Sequence, residues 1–600
     1  MRFRSPRVGG YQVLAVSGVN TVSFAIDASG ADTSGLLGFA VEREDPTENE
    51  RYFMPGFKVF PEVIPNPDEH TKVSTFDHPV QSFVWDDFTA KAGRTYRYHF
   101  HPLKGNPKNL DRSVPPVSIE VRTERQFDPQ LDHEVFFNRG VAGSQAYARE
   151  FGNKAPEKLL EPRRQRALDW LSRDLDDALL RFIAEAAPGD TLLCCFYEFR
   201  YAPAALALKD ALERGVHVQL IIDAKVNEST DKKGVFHESF PREENLRLIA
   251  DTGLPTDGVL TLREAKPNDI QHNKFMVLLK GAGETPAAVW TGSTNLSVGG
   301  IHGQTNVGHW VRDAGVAEHF RDYWRILSDD PGGLAGDSRS EVLKKNNAFK
   351  ASVEALQAIP TDWHDIPQGT TAVFSPRKGF DVLKMYAQML DEAQDLACIT
   401  LAFGINNLFK ELLQDNTDRN ALAFVLLEKR DVPNPNSKQP FIKINAANNV
   451  YQAWGSFLDK PLERWARETS AGRLGLNQHV SYIHSKFLLM DPLGDDPIVV
   501  TGSANFSEPS TNANDENMLL IRGHLRVADI YFTEFNRLFN HYYFRSVAEA
   551  TAKARAEGAP PPADGSLTLT SDDSWLQKYA PGKLRAKRVQ AFVKMRGIVE

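Results

Sequence analysis

The chain has 600 residues, 42% of them hydrophobic and 25% charged, with 70 basic against 78 acidic side chains and a net charge of −8. That length exceeds one ordinary core and predicts three or more domains or lobes, while the composition excludes a disordered, fibrous or disulfide-rich protein and fits a soluble globular one. The acidic balance argues against a protein that coats nucleic acid over its whole surface, and leaves room only for a local basic groove.

In chain order, the N-terminal stretch MRFRSPRVGGYQVLAVSG has a short apolar run broken by Gln and Gly. Neither a signal peptide nor a transmembrane helix is predicted, so the expected location is cytoplasmic, or exported without a recognisable signal. Residues 1–125 carry short alternating runs (NTVSFAID, QSFVWDDF, RTYRYHFHP, SIEVRTE) separated by turn residues, the pattern of a β-sandwich resembling a fibronectin or immunoglobulin module. Such a module is expected to dock a protein or a membrane surface. A connector is expected over 126–164, and RALDWLSRDLDDALLRFIAEA then has helical periodicity.

From there the chain repeats. Residues 190–223 and 395–428 both read strand, helix, strand, with Cys194 and Cys398 at matching places 204 residues apart. Two duplicated α/β lobes are predicted, over 165–335 and 376–547, joined by a connector at 336–375. Cys194, Cys195 and Cys398 read as buried strand residues and suggest no disulfide. The tail from 548 contains the linker-like EGAPPPADGSLTLTSDDSW and the basic KLRAKRVQAFVKMRG. That basic stretch reads first as a helix face docked on the body, with nucleic acid or anionic lipid as the alternative contact.

Each lobe carries one polar motif. In QHNKFMVLLKGAGETPAAVWTGSTNLS, alternation puts His272 and Lys274 on one face, and Gly292, Ser293 and Asn295 follow at the end of the next strand. In SYIHSKFLLMDPLGDDPIVVTGSANFS the set is His484, Lys486, Gly502, Ser503 and Asn505. The His-to-Gly gaps of 20 and 18 residues suit a hairpin that returns Ser and Asn beside His and Lys. Cationic groups side by side repel each other, so an anion between them accounts for the arrangement. The inventory suits displacement at phosphorus. Two lysines neutralise a phosphodiester, Ser and Asn donate to its oxygens, one neutral imidazole attacks, and a second, protonated imidazole protonates the leaving oxygen.

These motifs resemble the HKD motifs of the phospholipase D superfamily, H-x-K-x4-D followed by G-S-x-N, over roughly residues 165–545. The resemblance implies one active site shared by the two lobes within one chain, without need of an oligomer, and metal-independent chemistry through a phosphohistidine. The second lobe matches fully, with Asp491 as a structural motif residue alongside Gly292 and Gly502, and with Glu516 matching a carboxylate that contacts the motif histidine in the family. The first lobe has Leu279 at the Asp position and, eleven residues past Asn295, Asn306 where the second has Glu516 eleven past Asn505; Arg312 and Arg522 then align.

A carboxylate beside His484 favours it as the general acid, and an amide facing His272 leaves it neutral as the nucleophile. The reverse is also physical, because a carboxylate can strengthen a histidine base. Ser293 and Ser503 are expected to contact phosphate or histidine. His302 and His309 read as structural, and Glu198 and Arg200 as weaker cleft candidates. No Walker loop and no zinc-like Cys/His spacing occurs, so no cofactor or metal is expected. The expected function is a phosphodiester hydrolase, a phospholipase D acting on glycerophospholipids; the alternative is a nuclease using the same two histidines. An apolar cleft rim favours the first reading, and aromatic and basic residues tracking a strand favour the second.

Overall fold

The computed structural model of the chain describes residues 1–56, 58–67, 71, 73–140, 145–152, 154–417, 419–436, 438–456, 480–558 and 568–599. The N-terminal alternating runs form two antiparallel sheets. One is ordered Arg2–Arg4, Gln12–Ser17, Val22–Asp27, Val84–Asp87. The other is ordered Asn109–Asp111, Thr95–Asn106, Gly38–Asp45, Glu50–Phe53, and Val117–Arg122 also pairs with Thr95–Asn106. Val117–Arg122 alternates buried and exposed along its length, as a strand with one face on a core must. Phe24 of the first sheet meets Tyr98 and Phe100 of the second, with ring centroids 4.7 and 5.2 Å apart, closing a sandwich. Arg2 fixes this sandwich to the second lobe. It is buried, pairs with Asp529 at 2.7 Å and donates to the carbonyls of Pro492, Leu493 and Gly494.

The rest of the chain holds two seven-stranded sheets of identical order. The first runs His133–Phe137, Val307–Val311, Thr285–Gly292, Lys274–Lys280, Thr191–Phe196, His217–Asp223, Leu260–Arg263. The second runs Gly369–Ser375, Glu516–Arg522, Ile498–Gly502, Phe487–Met490, Leu396–Leu401, Leu422–Leu427, Val450–Trp454. The last three strands of each order are parallel, each joined to the next by a crossover, and the others antiparallel. The edge strands His133–Phe137 and Gly369–Ser375 come from the segments 126–164 and 336–375, so each sheet draws on a stretch read as connector. HEVFF and GTTAVFS are short apolar runs outside any strand–helix–strand unit, and only their pairing partners identify them.

The cysteine match shifts by one residue. Cys398 lies opposite Leu489 and Cys194 opposite Met276. Counted from the motif lysines, Leu489 is equivalent to Val277, so Cys398 corresponds to Leu193. The two cysteines therefore face opposite sides of their sheets, Cys398 toward the shared core and Cys194 toward the outer helices. All three cysteines are buried and unbridged.

Helices Ala314–Ser328 and Leu525–Ala556 follow the last strand of their lobes and lie between the sheets. In the first, Asp313 caps the N-terminus through Val316 N, and Val316, Phe320, Tyr323, Trp324 and Leu327 form one apolar stripe. Trp324 donates to Cys194 O in the first lobe, and Tyr323 to Ser375 O in the second, at 2.9 and 2.7 Å. One buried cluster thus spans both lobes, from Phe275 and Val277 to Phe374 and Phe487.

Residues 559–567 of the linker-like stretch lie outside the described residues. The basic segment beyond it forms helix Leu584–Val593, which is docked. Val589 joins the sandwich core, and Phe592 and Met595 join the inter-lobe core. Three of the segment's six cations are committed to the body: Lys587 to Asn449 at 2.8 Å, Arg588 to Asn536 at 3.1 Å, and Lys594 to Asp395. Among the described residues, no helix is long and apolar enough to cross a membrane.

Candidate active site

In each lobe the motif lies at the C-terminal ends of the parallel strands, where open α/β sheets bind ligands; Lys274 stands opposite Phe196, the last residue of its strand. The two ends meet across the seam between lobes. His272 N donates to Asp515 O at 2.9 Å, Asp515 N to Ile270 O at 3.0 Å, and Thr305 N to Tyr482 O at 2.7 Å. The start of each motif strand therefore lies against the start of the other lobe's last strand.

This seam overturns one expectation. Glu516 does not face His484. Both its carboxylate oxygens accept from Nδ1 of His272, at 3.0 and 2.9 Å, across the seam. Asn306 of the first lobe accepts through Oδ1 from Nδ1 of His484, at 2.9 Å. The alignment of Asn306 with Glu516 is correct in register, since Ser293 N donates to Val307 O and Ser503 N to Asn517 O. Spacing along the chain fixed that register but could not say which histidine each group meets.

Gly292 and Gly502 bring the hairpin strand and the last strand together. A Cβ would sit 2.2 Å from Val307 O at Gly292, where φ is +139°, and 2.3 Å from Asn517 O at Gly502. The serines that follow hold the histidine partners. Ser503 Oγ donates to Glu516 at 2.7 Å, and Ser293 Oγ to Asn306 Oδ1 at 2.9 Å. Each hydroxyl also accepts a backbone N–H of the last strand, from Asn517 or Val307. The serine hydroxyls thus reach the histidines through Glu516 and Asn306 rather than directly.

Lys274 and Lys486 are buried, and each Nζ donates to the carbonyl of its own motif histidine. Asn295 Nδ2 donates to Glu198 at 2.8 Å. Oδ1 of Asn295 and of Asn505 is buried and takes no hydrogen bond among the described residues. Asp491 stands apart from this centre: its carboxylate accepts the backbone N–H groups of Gln394, Asp395 and Leu396, at 2.8–3.1 Å, fixing the start of strand Leu396–Leu401. At the equivalent place Leu279 packs in the inter-lobe core.

Burial and crowding of like charge set the electrostatics. Burial, then Lys486, Lys274 and His272, hold His484 well below the usual histidine range. Burial also lowers His272, but Glu516 opposes it. Burial alone would raise Glu516; His272 and Lys274, with the bonds from His272 and Ser503, bring it below the usual carboxylate range. Glu516 accepts at Nδ1 of His272 and so fixes a ring proton there, which leaves Nε2 as the nitrogen available to a ligand. Burial pushes Lys274 down to about 8 and Lys486 well below its ordinary value. An anion placed among these groups reverses each depression.

His272, His484, Asn295 and Asn505 line a cavity of about 470 Å³. Its walls are Tyr197, Phe240, Ile270, Val298, Phe403 and Val480, with Glu198 and Arg200 on one side. Arg200 is held by Glu198 at 2.8 Å and Glu244 at 2.5 Å. The sequence reading missed Tyr197, whose ring centroid is 5.1 Å from that of His272 and 5.4 Å from Lys274 Nζ. Its only signal was its place before Glu198 at the end of a strand aimed at the cleft. His302 lies outside the cavity, buried against Tyr201.

The family model described as "Cardiolipin synthase, PLD-like domain" matches residues 179–326 and 387–539, together just over half of the chain. No curated protein matches the chain. Among solved structures, phosphatidylserine synthase from Haemophilus influenzae Rd KW20 is 10% identical over 70% of this chain and 93% of its own, with a TM-score of 0.41. Polyphosphate kinase from Porphyromonas gingivalis is 11% identical over 59% of this chain, which spans about half (46%) of that one, with a TM-score of 0.35. Nuc, a phospholipase D family member from Salmonella typhimurium, is 16% identical over 29% of this chain and 94% of its own, with a TM-score of 0.20.

Proposed function

The chain belongs to the phospholipase D-like family described as "Cardiolipin synthase, PLD-like domain", a phosphodiester-processing family, and from that premise we propose that it cleaves the headgroup phosphodiester of a glycerophospholipid through a covalent intermediate on His272. Nε2 of His272 attacks phosphorus, and the bond to the leaving oxygen breaks. His484, protonated once the phosphodiester is bound, gives its proton to that oxygen. Water or an acceptor alcohol then attacks phosphorus and loses its proton to His484 as the P–N bond breaks. Lys274 and Lys486 balance the charge on the non-bridging oxygens.

His272 keeps the role of nucleophile for a different reason from the one the sequence suggested. Glu516 fixes its proton on Nδ1, leaves the lone pair on Nε2, and stabilises the positive charge that spreads into the ring as the P–N bond forms. His484 faces a neutral amide, gains no such charge stabilisation, and serves as the proton carrier.

The observation that carries the lipid reading is the cavity wall. Phe240, Ile270, Val298, Phe403 and Val480 line it, with Phe403 69% exposed and Val298 41% exposed. These two continue an apolar surface outward from the histidines, as an acyl-bearing substrate requires. A polynucleotide track needs cations along its path. Among the described residues that line the cavity, Arg200 is instead committed to two carboxylates, and Lys587 and Arg588 of the terminal helix are held by the body.

The test incubates the protein, in EDTA, with phosphatidylcholine vesicles and with plasmid DNA in parallel, using His484→Ala as the blank. Release of choline, or its exchange for an added alcohol, with intact DNA supports the reading. Cut DNA without choline release assigns the chain to nucleic acid. Activity that survives in His484→Ala sinks the two-histidine mechanism.

A further inference from the structure

On the same inter-lobe seam, away from the cavity, Asp132, His133 and His524 converge. One oxygen of Asp132 and one ring nitrogen of each histidine lie within 4.8 Å of one another. Nothing in the phosphodiester chemistry uses these groups, and none lines the cavity. We propose that these three side chains bind a divalent cation of the zinc class, which ties the two lobes together.

The distances favour a metal over a simple ion pair. His524 Nε2 lies 3.3 Å from both oxygens of Asp132. A charge-assisted hydrogen bond would close to about 2.7–2.9 Å. Two ligands on a tetrahedral zinc with arms of about 2.0–2.1 Å stand about 3.3–3.4 Å apart, so this pair is already at the spacing of a shared ion. His524 Nδ1 accepts a long hydrogen bond from the Val527 amide at 3.4 Å, a contact the ring gives up when Nε2 turns to a cation.

His133 is supported as a metal-bound histidine is. Its Nδ1 lies 2.9 Å from His309 Nε2, and His309 Nδ1 lies 3.1 Å from the Tyr531 hydroxyl, all three side chains being buried. A proton on His133 Nδ1 directs Nε2 to the cation, and a chain of outer partners holds the ring in place. Thr370 Oγ1 is hydrogen-bonded to His133 Nε2 at 3.1 Å, and a cation at this point takes the place of that contact. Burial falls from His133 through the half-buried His524 to the exposed Asp132. This gradient gives an entry path and leaves a fourth position open to water.

The ligands come from different lobes. His133 begins an edge strand of the first sheet and Asp132 precedes it, Thr370 belongs to the matching edge strand of the second, and His524 precedes helix Leu525–Ala556. His133 pairs with Val311, while Asn306, which holds His484, precedes the other end of that strand. At about 3.3 Å per residue the site is about 17 Å from the catalytic end. A cation here acts on the docking of the lobes and stays outside the reaction.

The experiment strips the full-length protein with EDTA, desalts it, and titrates Zn²⁺ against a chromophoric chelator, for wild type, Asp132→Asn and His524→Ala. Wild type should take up one Zn²⁺ per chain and melt at a higher temperature with it. Each variant should bind at least about tenfold more weakly, since even outer-shell partners are worth 10–100-fold, and should lose the thermal shift. X-ray absorption at the zinc edge of loaded wild type should read nitrogen and oxygen ligands, including two imidazoles, independently of any effect of substitution on folding. No uptake by wild type, equal uptake by the variants, or an edge spectrum without imidazoles overturns the proposal.

Discussion

Glu516→Gln tests the crossed histidine pairing directly. Glutamine has the same shape, and the protein already contains the amide version of this contact, Asn306 against His484 with Ser293 behind it. In the variant the side-chain oxygen can still accept from His272 Nδ1, and Ser503 can turn its proton to Asn517 O, already 3.3 Å away. The geometry survives and the charge is lost. Exchanging a hydrogen bond to a charged acceptor, ~1.5–3 kcal/mol, for one to a neutral acceptor, ~0.5–1.5 kcal/mol, forfeits about 1–2 kcal/mol, or about 5- to 30-fold in rate. The loss should fall on formation of the phosphoenzyme, because that step places positive charge on the His272 ring. Single-turnover kinetics with acid-quench detection of phosphohistidine would measure it, using a natural diester and one with a nitrophenyl leaving group that needs no acid. Glu516→Gln should be slow on both, whereas His484→Ala should recover on the nitrophenyl ester. A change below twofold refutes the charge argument. A Glu516→Gln defect that disappears with the activated ester, while the His484→Ala defect remains, exchanges the two roles.

Three further outcomes follow from the same geometry. Burial holds the Lys274 ammonium down to about 8, so kcat/KM should fall as pH rises past that point. kcat should hold to higher pH because bound phosphodiester restores the ammonium; a pH–rate profile showing both limbs at the same pH contradicts this. Asp515 is buried between Arg263 at 2.9 Å and Lys266 at 3.4 Å; Asp515→Ala removes their shared buried partner, leaving Arg263 with Asp330 and Lys266 with Asp269, and should cost about 3 kcal/mol, read as a lowered urea midpoint. Gly292→Ala places a Cβ on Val307 O with φ at +139°; the backbone alone costs about 1–3 kcal/mol, and the variant should melt lower and lose activity through misplaced Ser293 and Asn306.

Much of this site was legible because the chain states it twice. A lone His-x-Lys on a strand is an ordinary surface feature; the second copy, with its own Gly-Ser-x-Asn and in step with a repeated strand–helix–strand unit, gave the site its meaning. The count of eleven residues found Asn306 opposite Glu516 correctly. What spacing could not give was the partner across the seam, because register reports position within a lobe and says nothing about how two lobes face each other. The edge strands were hidden for a related reason: HEVFF is a five-residue apolar run, and only Val307–Val311, some 170 residues later, makes it part of a sheet. Likewise Asp132 and His524 are separated by 392 residues, a distance at which no ligand-spacing pattern exists.

The exchange of histidine partners across the seam also bears on why both lobes lie in one chain. If two identical lobes assembled by symmetry, every histidine would face a copy of the same side chain, and both would carry a carboxylate or both an amide. Joining the lobes in one polypeptide lets position 516 be Glu while position 306 is Asn, so a single substitution in either half re-tunes the histidine of the other. Division of labour between two chemically identical rings is then inherited as a covalent property of the chain, and neither half carries a complete active centre by itself.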